Sequence, residues 1–182
     1  TALAWADMST GDFAVQLCPE DGIDTMLARL DPAELIFPQD RDLPFDQTLV
    51  SMCLTPQAPS LFHSARARQA LQDFYAVASL DGMGDFNRAM VSAAGALLAY
   101  IETTQIGNMP RLRALRQITE SGLLEIDAAT RRSLELTRTL TGESRGSLLH
   151  AVDRTLTAAG GRLLSERLAA PLSELAAIDA RL

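Results

Sequence analysis

LEIDAATRRSLELT, residues 124–137, is the stretch that decides the fold of this chain. Its Asp127 stands just before an apolar periodic run, where a carboxylate can cap the first turn of a helix. DRTLTAAGGRLLSERL (residues 153–168) and APL (residues 170–172) follow at short distances. Helix formation alone does not require these three stretches in this order, so together they form a more specific signature than a general helical pattern.

The three stretches together resemble the start of the core domain of the MutS family of DNA mismatch-repair proteins. In that family the run reads approximately L-D-x-x-T-R-R-N-L-E-L, then G-S-L-L, then D-x-T-x-T-x-x-G-x-R-L-L-x-x-W-L-x-x-P-L. Three positions depart from this pattern, namely Ser133, His150 and Arg167. The positions that match, in chain order, are Asp127, Thr130, Arg131, Arg132, Leu134, Glu135, Leu136, Gly146, Ser147, Leu148, Leu149, Asp153, Thr155, Thr157, Gly160, Arg162, Leu163, Leu164, Leu168, Pro171 and Leu172. Chance does not explain so many ordered matches.

Upstream segments extend the resemblance over nearly the whole chain. ALAWADMSTGDFAV (residues 2–15), PAELIFP (residues 32–38) and AAGALLAYIETTQ (residues 93–105) are similar to the connector domain of the same family. The resemblance implies an α/β ribonuclease-H-like connector domain followed by an all-α segment of the core domain.

A change in local pattern separates the two parts. Residues 107–122 contain Gly107, Pro110 and three arginines without a helical or strand period, which predicts a linker. We therefore expect the connector domain at residues 1–106 and the first helices of the core domain at residues 123–182.

Hydrophobic patterns before the linker predict strands alternating with helices. The expected elements are a hairpin with its turn at Ser9–Asp12, a helix over residues 20–30, strands at residues 34–37 and 49–54, and helices over residues 67–78 and 87–103. Asn87 can cap the last of these helices. The small residues around Gly95 should allow another element to pack closely against it.

After the linker the sequence predicts four helices. They are one of about ten residues capped by Asp127, one near residues 148–154 opened by Ser144, one from Thr157 to Pro171, and one started by Ser173. Gly160 and Gly161 stand in the first turns of the third helix, although each costs about 1 kcal/mol relative to Ala. We therefore expect another backbone to approach closely there.

Composition indicates a soluble protein of the cytoplasm. The chain has 47% hydrophobic residues, but no apolar run approaches the roughly 20 residues that span a bilayer, and no signal-peptide pattern is present. Cys18 and Cys53 belong to no Cys/His cluster, so we expect both to be buried free thiols.

Charge is divided unevenly along the chain. Residues 1–106 carry 14 acidic residues and 5 Arg, a net charge of −9, whereas residues 107–182 carry 9 and 11, a net charge of +2. Affinity for DNA comes largely from neutralising phosphates, so the first part should repel DNA. Arg131 and Arg132 could touch phosphate, but we expect ion pairs at helical spacing with Glu125, Asp127 or Glu135.

The resemblance implies a non-catalytic mechanical part of a mismatch-repair ATPase. In that family the connector links the mismatch-reading domain to the core and offers docking surface to the partner MutL. The chain has no Phe-x-Glu wedge and no Lys, hence no G-x-x-x-x-G-K-[ST] phosphate loop. Without this loop we expect neither enzyme activity nor a cofactor of its own. Because the chain starts at Thr1 and stops at Leu182 within a helical pattern, we expect it to be a fragment of a larger protein.

The longer protein, by the same resemblance, binds mismatched duplex DNA through other domains, uses ATP and ADP with Mg, and forms a homodimer. For the partner MutL, the helix around Arg66 to Tyr75 offers a polar side opposite its core-facing stripe. We name this side the docking face and predict that it consists of Arg66, Gln69, Gln72 and Asp73.

Two other function classes remain open. A ribonuclease-H-like topology also predicts a metal-dependent nuclease, with Asp7 as a ligand and Asp12, Glu34 and Asp73 available. Two-metal chemistry requires such carboxylates to converge on ions about 4 Å apart. A generic α/β domain fused to a helical scaffold, with an unrelated partner, requires no particular residues.

Overall fold

The computed structural model divides into two compact units. Unit 1 comprises Thr1–Ile23 and Pro32–Thr119, and unit 2 comprises Asp24–Asp31 and Glu120–Leu182. The domain boundaries derived from the sequence stay a prediction. The structure describes residues 1–44, 52–105, 107, 109–119 and 122–181.

Strands and helices are interspersed through the first 118 residues. In chain order they are β1 (Ala2–Asp7), β2 (Asp12–Leu17), α1 (Ile23–Leu30), β3 (Glu34–Pro38), β4 (Cys53–Gln57), α2 (Ser64–Tyr75), α3 (Arg88–Thr104) and β5 (Arg116–Ile118). β2 is the middle strand of a three-stranded sheet, antiparallel to β1 and parallel to β5. β3 and β4 form a separate parallel pair. This mixed α/β order confirms the fold class at the coarse level.

The predicted hairpin joins β1 to β2. Their pairing runs from Ala2 opposite Leu17 to Asp7 opposite Asp12. Gly11 closes the turn with a φ of 73°, a left-handed conformation that glycine adopts without steric cost. A Cβ at this position would also collide with the carbonyl group of Arg111. The turn therefore depends on glycine for two independent reasons.

The core of unit 1 lies where α3 packs against β1, β2 and α2. Phe13 and Val15, alternate residues of β2, are fully buried there. Asn87 caps α3 as predicted, because its Oδ1 accepts a hydrogen bond from the Met90 amide at 3.0 Å. Gly95 faces Ala67 of α2 so closely that a Cβ would overlap it. The small residue that the sequence predicted for close packing is in place.

Unit 2 contains four short helices after residue 122. They are α4 (Ala128–Ser133), α5 (Leu148–Val152), α6 (Ala158–Ala169) and α7 (Leu175–Asp179). Asp127 caps α4 and Thr157 caps α6, as predicted, by accepting from the amides of Thr130 and Gly160. Within the described part of the chain, no helix combines the length and the apolar character needed to cross a membrane.

Several details of unit 2 differ from expectation. α4 has six residues instead of about ten, because Glu135 takes a φ of 47° and so leaves the right-handed helix. The cap of α5 is Ser147, whose Oγ accepts from the His150 amide at 3.2 Å; Ser144 does not cap it. α7 follows Glu174 and does not begin at Ser173. The type of each helix was predictable, but its ends were not.

The glycine pair of α6 has a different neighbourhood from the one expected. A Cβ at Gly160 or Gly161 would meet side-chain atoms of Thr155, at 3.3 Å and 3.2 Å respectively. Among the described residues, the atoms nearest to such a Cβ belong to side chains of Thr155, Thr157 and Asp153, and none belongs to the backbone of another element. The glycines make room for the threonines that precede their own helix.

Unit 1 also departs from the sequence reading. The segment interpreted as linker contains β5, and Leu115 next to it is 2% exposed within the core. β4 begins at Cys53, so the strand predicted at residues 49–54 lies further along the chain, and residues 49–51 are outside the described residues. Both cysteines are free; Cys18 is buried as expected, but Cys53 is exposed.

Candidate functional site

The docking face lies on α2, a helix of twelve residues whose opposite side is buried. Ala67 and Leu71 of that opposite side are 2% and 0% exposed. Arg66, Gln69 and Asp73 are exposed, whereas Gln72 is half-buried, as the helical period requires for a residue next to Leu71. The structure therefore leaves the predicted residues on the outer side of α2, with Gln72 at its margin.

Hydrogen bonds separate the four residues by role. Gln69 Nε2 donates to Asp73 Oδ1 at 2.8 Å, a pairing of exposed side chains one turn apart. Gln72 Nε2 instead donates to the carbonyl oxygen of Ala78 at 2.6 Å, beyond the end of the helix. Gln72 thus holds the turn that follows α2, and Arg66, Gln69 and Asp73 present polar groups at the surface.

Tyr75 fixes the last turn of α2. Its hydroxyl donates to the carbonyl oxygen of Arg113 at 2.7 Å, in the segment that leads into β5. Burial raises the pKa of Tyr75 to about 12, although a backbone hydrogen bond from Leu115 acts in the other direction. The phenol therefore stays a neutral donor at physiological pH. The docking face is carried by a helix tied at its end to the rest of unit 1.

Of the four carboxylates of the nuclease alternative, Asp7 and Asp12 lie opposite each other in the hairpin, but the four do not form one cluster. Each has donors of its own: Asp7 accepts from Ser9, Asp12 from Arg116, Glu34 from Thr55 and Tyr100, and Asp73 from Gln69. Among the residues that the structure describes, no group of three or more His, Cys, Asp and Glu residues could hold a metal ion. The nuclease alternative gains no support from this arrangement.

The expected ion pairs of Arg131 and Arg132 are absent from the described part of the chain. The Asp127 carboxylate caps α4 through the amide and hydroxyl of Thr130. The Glu135 carboxylate accepts from the Leu140 amide at 2.7 Å. Asp127 satisfies a backbone donor in the first turn of α4, and Glu135 satisfies one in the segment that follows the helix, so local backbone hydrogen bonds take precedence over the charge pairs that the spacing indicated.

The two arginines have different surroundings. Arg132 is exposed, whereas Arg131 is 7% exposed, and its Nε and Nη1 are buried with no hydrogen-bond partner among the described residues. Burial, followed by the charge of Arg29, lowers the pKa of the Arg131 guanidinium. Charge spacing treated Arg131 as a surface residue, so the sequence reasoning missed it.

Comparisons with known proteins match both parts of the chain. The model of MutS domain II matches residues 1–113, and the model of MutS domain III matches residues 129–182. A DNA mismatch repair protein MutS from Cereibacter sphaeroides is 48% identical over 181 residues, which cover 100% of this chain and 20% of that relative. A protein of the same name from Ruegeria pomeroyi is 47% identical over 187 residues, covering 100% of this chain and 21% of the relative. The chain spans about a fifth of the length of the curated relatives it matches.

Proposed function

The chain belongs to the MutS family, and from this premise we propose that it is the connecting part of a longer mismatch-repair protein. In this role a connector domain continues directly into the first helices of the core domain. The observation that carries the proposal is the ordered match of both family regions, at residues 1–113 and 129–182, together with an alignment to a curated relative over the whole chain. Its function is to couple domains, and no chemical step takes place on it.

A ribonuclease-H-like topology of the connector belongs to the same proposal. Three features support this topology: the β1–β2 hairpin, the later strand β5 that runs parallel to β2, and the packing of α3 on the sheet. For the core segment, an all-α character is supported by α4 to α7, although Leu123 and Leu172 also form an isolated antiparallel bridge.

We propose that these residues carry no enzyme activity and no cofactor. ATP or ADP with Mg, and the mismatched duplex DNA, bind other parts of the longer protein, which acts as a homodimer. The absence of Lys and the net charge of −9 in residues 1–106 favour this division of labour.

Fluorescence anisotropy with a G·T duplex and its paired control, at near-physiological salt, tests this division. Residues 1–182 should bind weakly, with strong salt dependence and no mismatch preference. ATP hydrolysis should stay at background, with the longer protein as the positive control in both assays. Submicromolar binding with a clear mismatch preference refutes the proposal.

The partner of the docking face in this proposal is MutL. Arg66, Gln69 and Asp73 offer a cation, an amide and a carboxylate within about two turns of a helix whose other side is anchored in the core. Such a fixed array can exchange charge-assisted hydrogen bonds with a complementary surface at little cost in backbone ordering.

Capture by immobilised MutL tests the docking face. The double change Arg66→Ala with Gln69→Ala should weaken capture while leaving the melting temperature within a few degrees, since surface changes usually cost under about 0.5 kcal/mol. Gln72→Ala should lower the melting temperature instead, because the carbonyl of Ala78 loses its donor. Glu102→Ala, at an exposed position of α3, is the matched control. Unchanged capture by the double variant moves the docking site elsewhere.

A further inference from the structure

Helix α1 belongs to one unit by its packing and to the other by its place in the chain. Residues Asp24–Asp31, which include all of α1 except its first residue, cluster with unit 2. In the chain, however, α1 lies between β2 and β3, which both belong to unit 1, and the family region that matches residues 1–113 includes it. The chain therefore passes between the two units three times, after Ile23, after Asp31 and after Thr119.

The apolar side of α1 is covered by protein. Met26 and Leu27 are 5% and 4% exposed, and neither is part of the cluster of described residues around Phe13 and Leu71 that forms the core of unit 1. A helix of eight residues is too short to be stable in water by itself, so α1 depends on its packing. Because its contacts cluster with those of unit 2, α1 is held by that unit.

An ion pair joins the end of α1 to the segment after α4. The Asp31 carboxylate accepts from Arg138 Nε at 2.7 Å, and we call this pair the clasp. Asp31 has a φ of 43°, a left-handed conformation that ends the helix and that aspartate tolerates better than most residues. The side chains of Arg138 and Asp31 are 54% and 41% exposed, so water and salt reach the clasp and its strength is modest.

A turn at residues 138–143 fixes the position of Arg138. Arg138 Nη1 donates to the carbonyl oxygen of Gly142 at 3.3 Å. The Thr139 amide donates to the Glu143 carbonyl oxygen at 2.8 Å, and the Thr139 carbonyl oxygen accepts from the Gly142 amide at 2.8 Å. A guanidinium that its own turn already holds loses little further freedom when it binds Asp31.

We propose that α1 is the element that couples unit 2 to unit 1, and that the clasp strengthens its hold on unit 2. Only Asp31, Pro32 and Ala33 connect α1 to β3. The four Cα steps from Leu30 to Glu34 span at most about 14 Å, so a displacement of α1 together with unit 2 pulls on β3. A movement of the core segment is in this way transmitted to the sheet strands of the connector.

The purpose of this coupling rests on the proposed function, whereas its physical basis is tested without it. Binding of mismatched DNA by the longer protein decides whether the proposed function is correct. Hydrogen exchange in residues 1–182 decides whether α1 follows unit 2 and acts on β3.

Removal of the charge at Arg138 tests the clasp. Arg138→Gln should accelerate exchange of the α1 amides up to about five-fold at low salt, as expected for an exposed ion pair. In about 1 M NaCl the difference from the unsubstituted chain should disappear, because charges are then screened beyond about 3 Å. Arg132→Gln, at an exposed position of α4, is the control and should have no effect on α1. A loss that persists in salt, or no loss, refutes the role of the clasp.

One truncated leucine in each unit tests which unit holds α1. Leu136, in unit 2, is 7% exposed, and Leu136→Ala should accelerate exchange of α1 at least about 10-fold, together with residues 124–140. Leu71→Ala, in the core of unit 1, should accelerate exchange of α3 and leave α1 within about three-fold. If Leu136→Ala unfolds unit 2 completely, Leu136→Val supplies a smaller perturbation. If α1 instead follows Leu71→Ala, or ignores the change at Leu136, the proposal is wrong.

An insertion after α1 decides whether the effect reaches unit 1 through the chain. Leu136→Ala should also accelerate exchange of β3, since β3 follows α1 over a short connection. About four Gly and Ser residues inserted between Pro32 and Ala33 lengthen this connection, so β3 should stop responding to Leu136→Ala while α1 still responds. The same insertion after Gly82, where an added Cβ would meet no atom within 4 Å, is the matched control and should preserve the response of β3. Equal responses of β3 with both insertions, or no response without an insertion, overturn the proposal.

Discussion

Unit 1 closes around a core of its own, whereas unit 2 holds most of the large apolar side chains that are exposed among the described residues. The cluster of buried hydrophobic residues that includes Phe13, Leu71 and Leu98 lies entirely within unit 1. Among the described residues, ten large hydrophobic side chains are exposed, and only Met8 and Leu17 belong to unit 1. The other eight belong to unit 2: Leu124, Leu134, Leu140, Leu148, Val152, Leu156, Leu163 and Leu175.

This difference shows that a match to a family region and a self-sufficient core are separate properties. α3 has 17 residues and a buried side, but α4, α5 and α7 have only five or six. Isolated helices shorter than about 12 residues are marginal in water, and in proteins their stability comes mainly from packing. We expect unit 2 to need apolar surface that these residues alone do not supply.

The largest expected effect is a contrast in hydrogen exchange. Amides of α3 should exchange at least about 100-fold more slowly than those of α5 and α7, because the core of unit 1 opens only with global unfolding whereas short exposed helices open locally. Mass spectrometry of exchanged peptides measures both in one sample. Equal protection of residues 123–181 and residues 1–105 would remove the basis of the comparison.

Association should accompany this contrast. An exposed leucine surface of several hundred Å² marks an interaction site or an association hazard. Light scattering over a concentration series should therefore show self-association that the double change Leu156→Ser with Leu175→Ser reduces, while Met8→Ser in unit 1 has little effect. A strict monomer with a fully protected unit 2 contradicts this expectation.

A matched pair of leucine truncations sharpens the comparison. Leu71 of α2 is fully buried and Leu156 before α6 is 100% exposed. Leu71→Ala removes core contacts and leaves a cavity, so the free energy of unfolding should fall by about 3 kcal/mol. Leu156→Ala removes no contact and should leave the midpoint of urea unfolding unchanged. Equal losses for the two variants would mean that Leu156 is covered in solution.

The sequence predicted those features that arise from local chemistry. Spacing and residue type were sufficient to predict the hairpin, the buried stripe of α3 and the close packing at Gly95. They also predicted the helix caps Asn87, Asp127 and Thr157. The features it missed depend on distant partners. β5 is three residues long and exists because β2 lies beside it, so no periodicity could reveal it.

In the candidate site, too, the sequence predicted what depends on local pattern and missed what depends on distant partners. The core-facing stripe of α2 predicted that Arg66, Gln69 and Asp73 would be exposed. It could not predict that Gln72 reaches the Ala78 carbonyl, because that bond depends on how the chain turns after the helix. The burial of Arg131 was hidden for a related reason, since charge spacing along one helix carries no information about what covers it.

The smallest expected effect concerns whether the order of unit 1 extends from its core to the β3–β4 pair. The Glu34 carboxylate on β3 accepts from the Thr55 hydroxyl at 2.5 Å and from the Tyr100 hydroxyl of α3 at 2.6 Å. These two hydrogen bonds hold the pKa of Glu34 below its ordinary value of 4.5, and the bond from Thr55 has the larger effect. A depressed carboxyl pKa stabilises the folded state above the ordinary value, and this contribution is lost as the pH falls through the folded pKa.

Tyr100→Phe should therefore lower the melting temperature slightly at pH 7 and progressively less as the pH falls below 4.5, while the pKa of Glu34 measured by NMR rises toward its ordinary value. Tyr75→Phe is the matched control: its hydroxyl binds the Arg113 carbonyl, which does not titrate, so its loss should be constant over the same pH range. If the loss of melting temperature depends on pH in the same way for both variants, and the pKa of Glu34 does not change, then Tyr100 does not bind Glu34 in solution. The order of unit 1 would then end at α3, and the β3–β4 pair would resemble unit 2 in mobility more than it resembles the core.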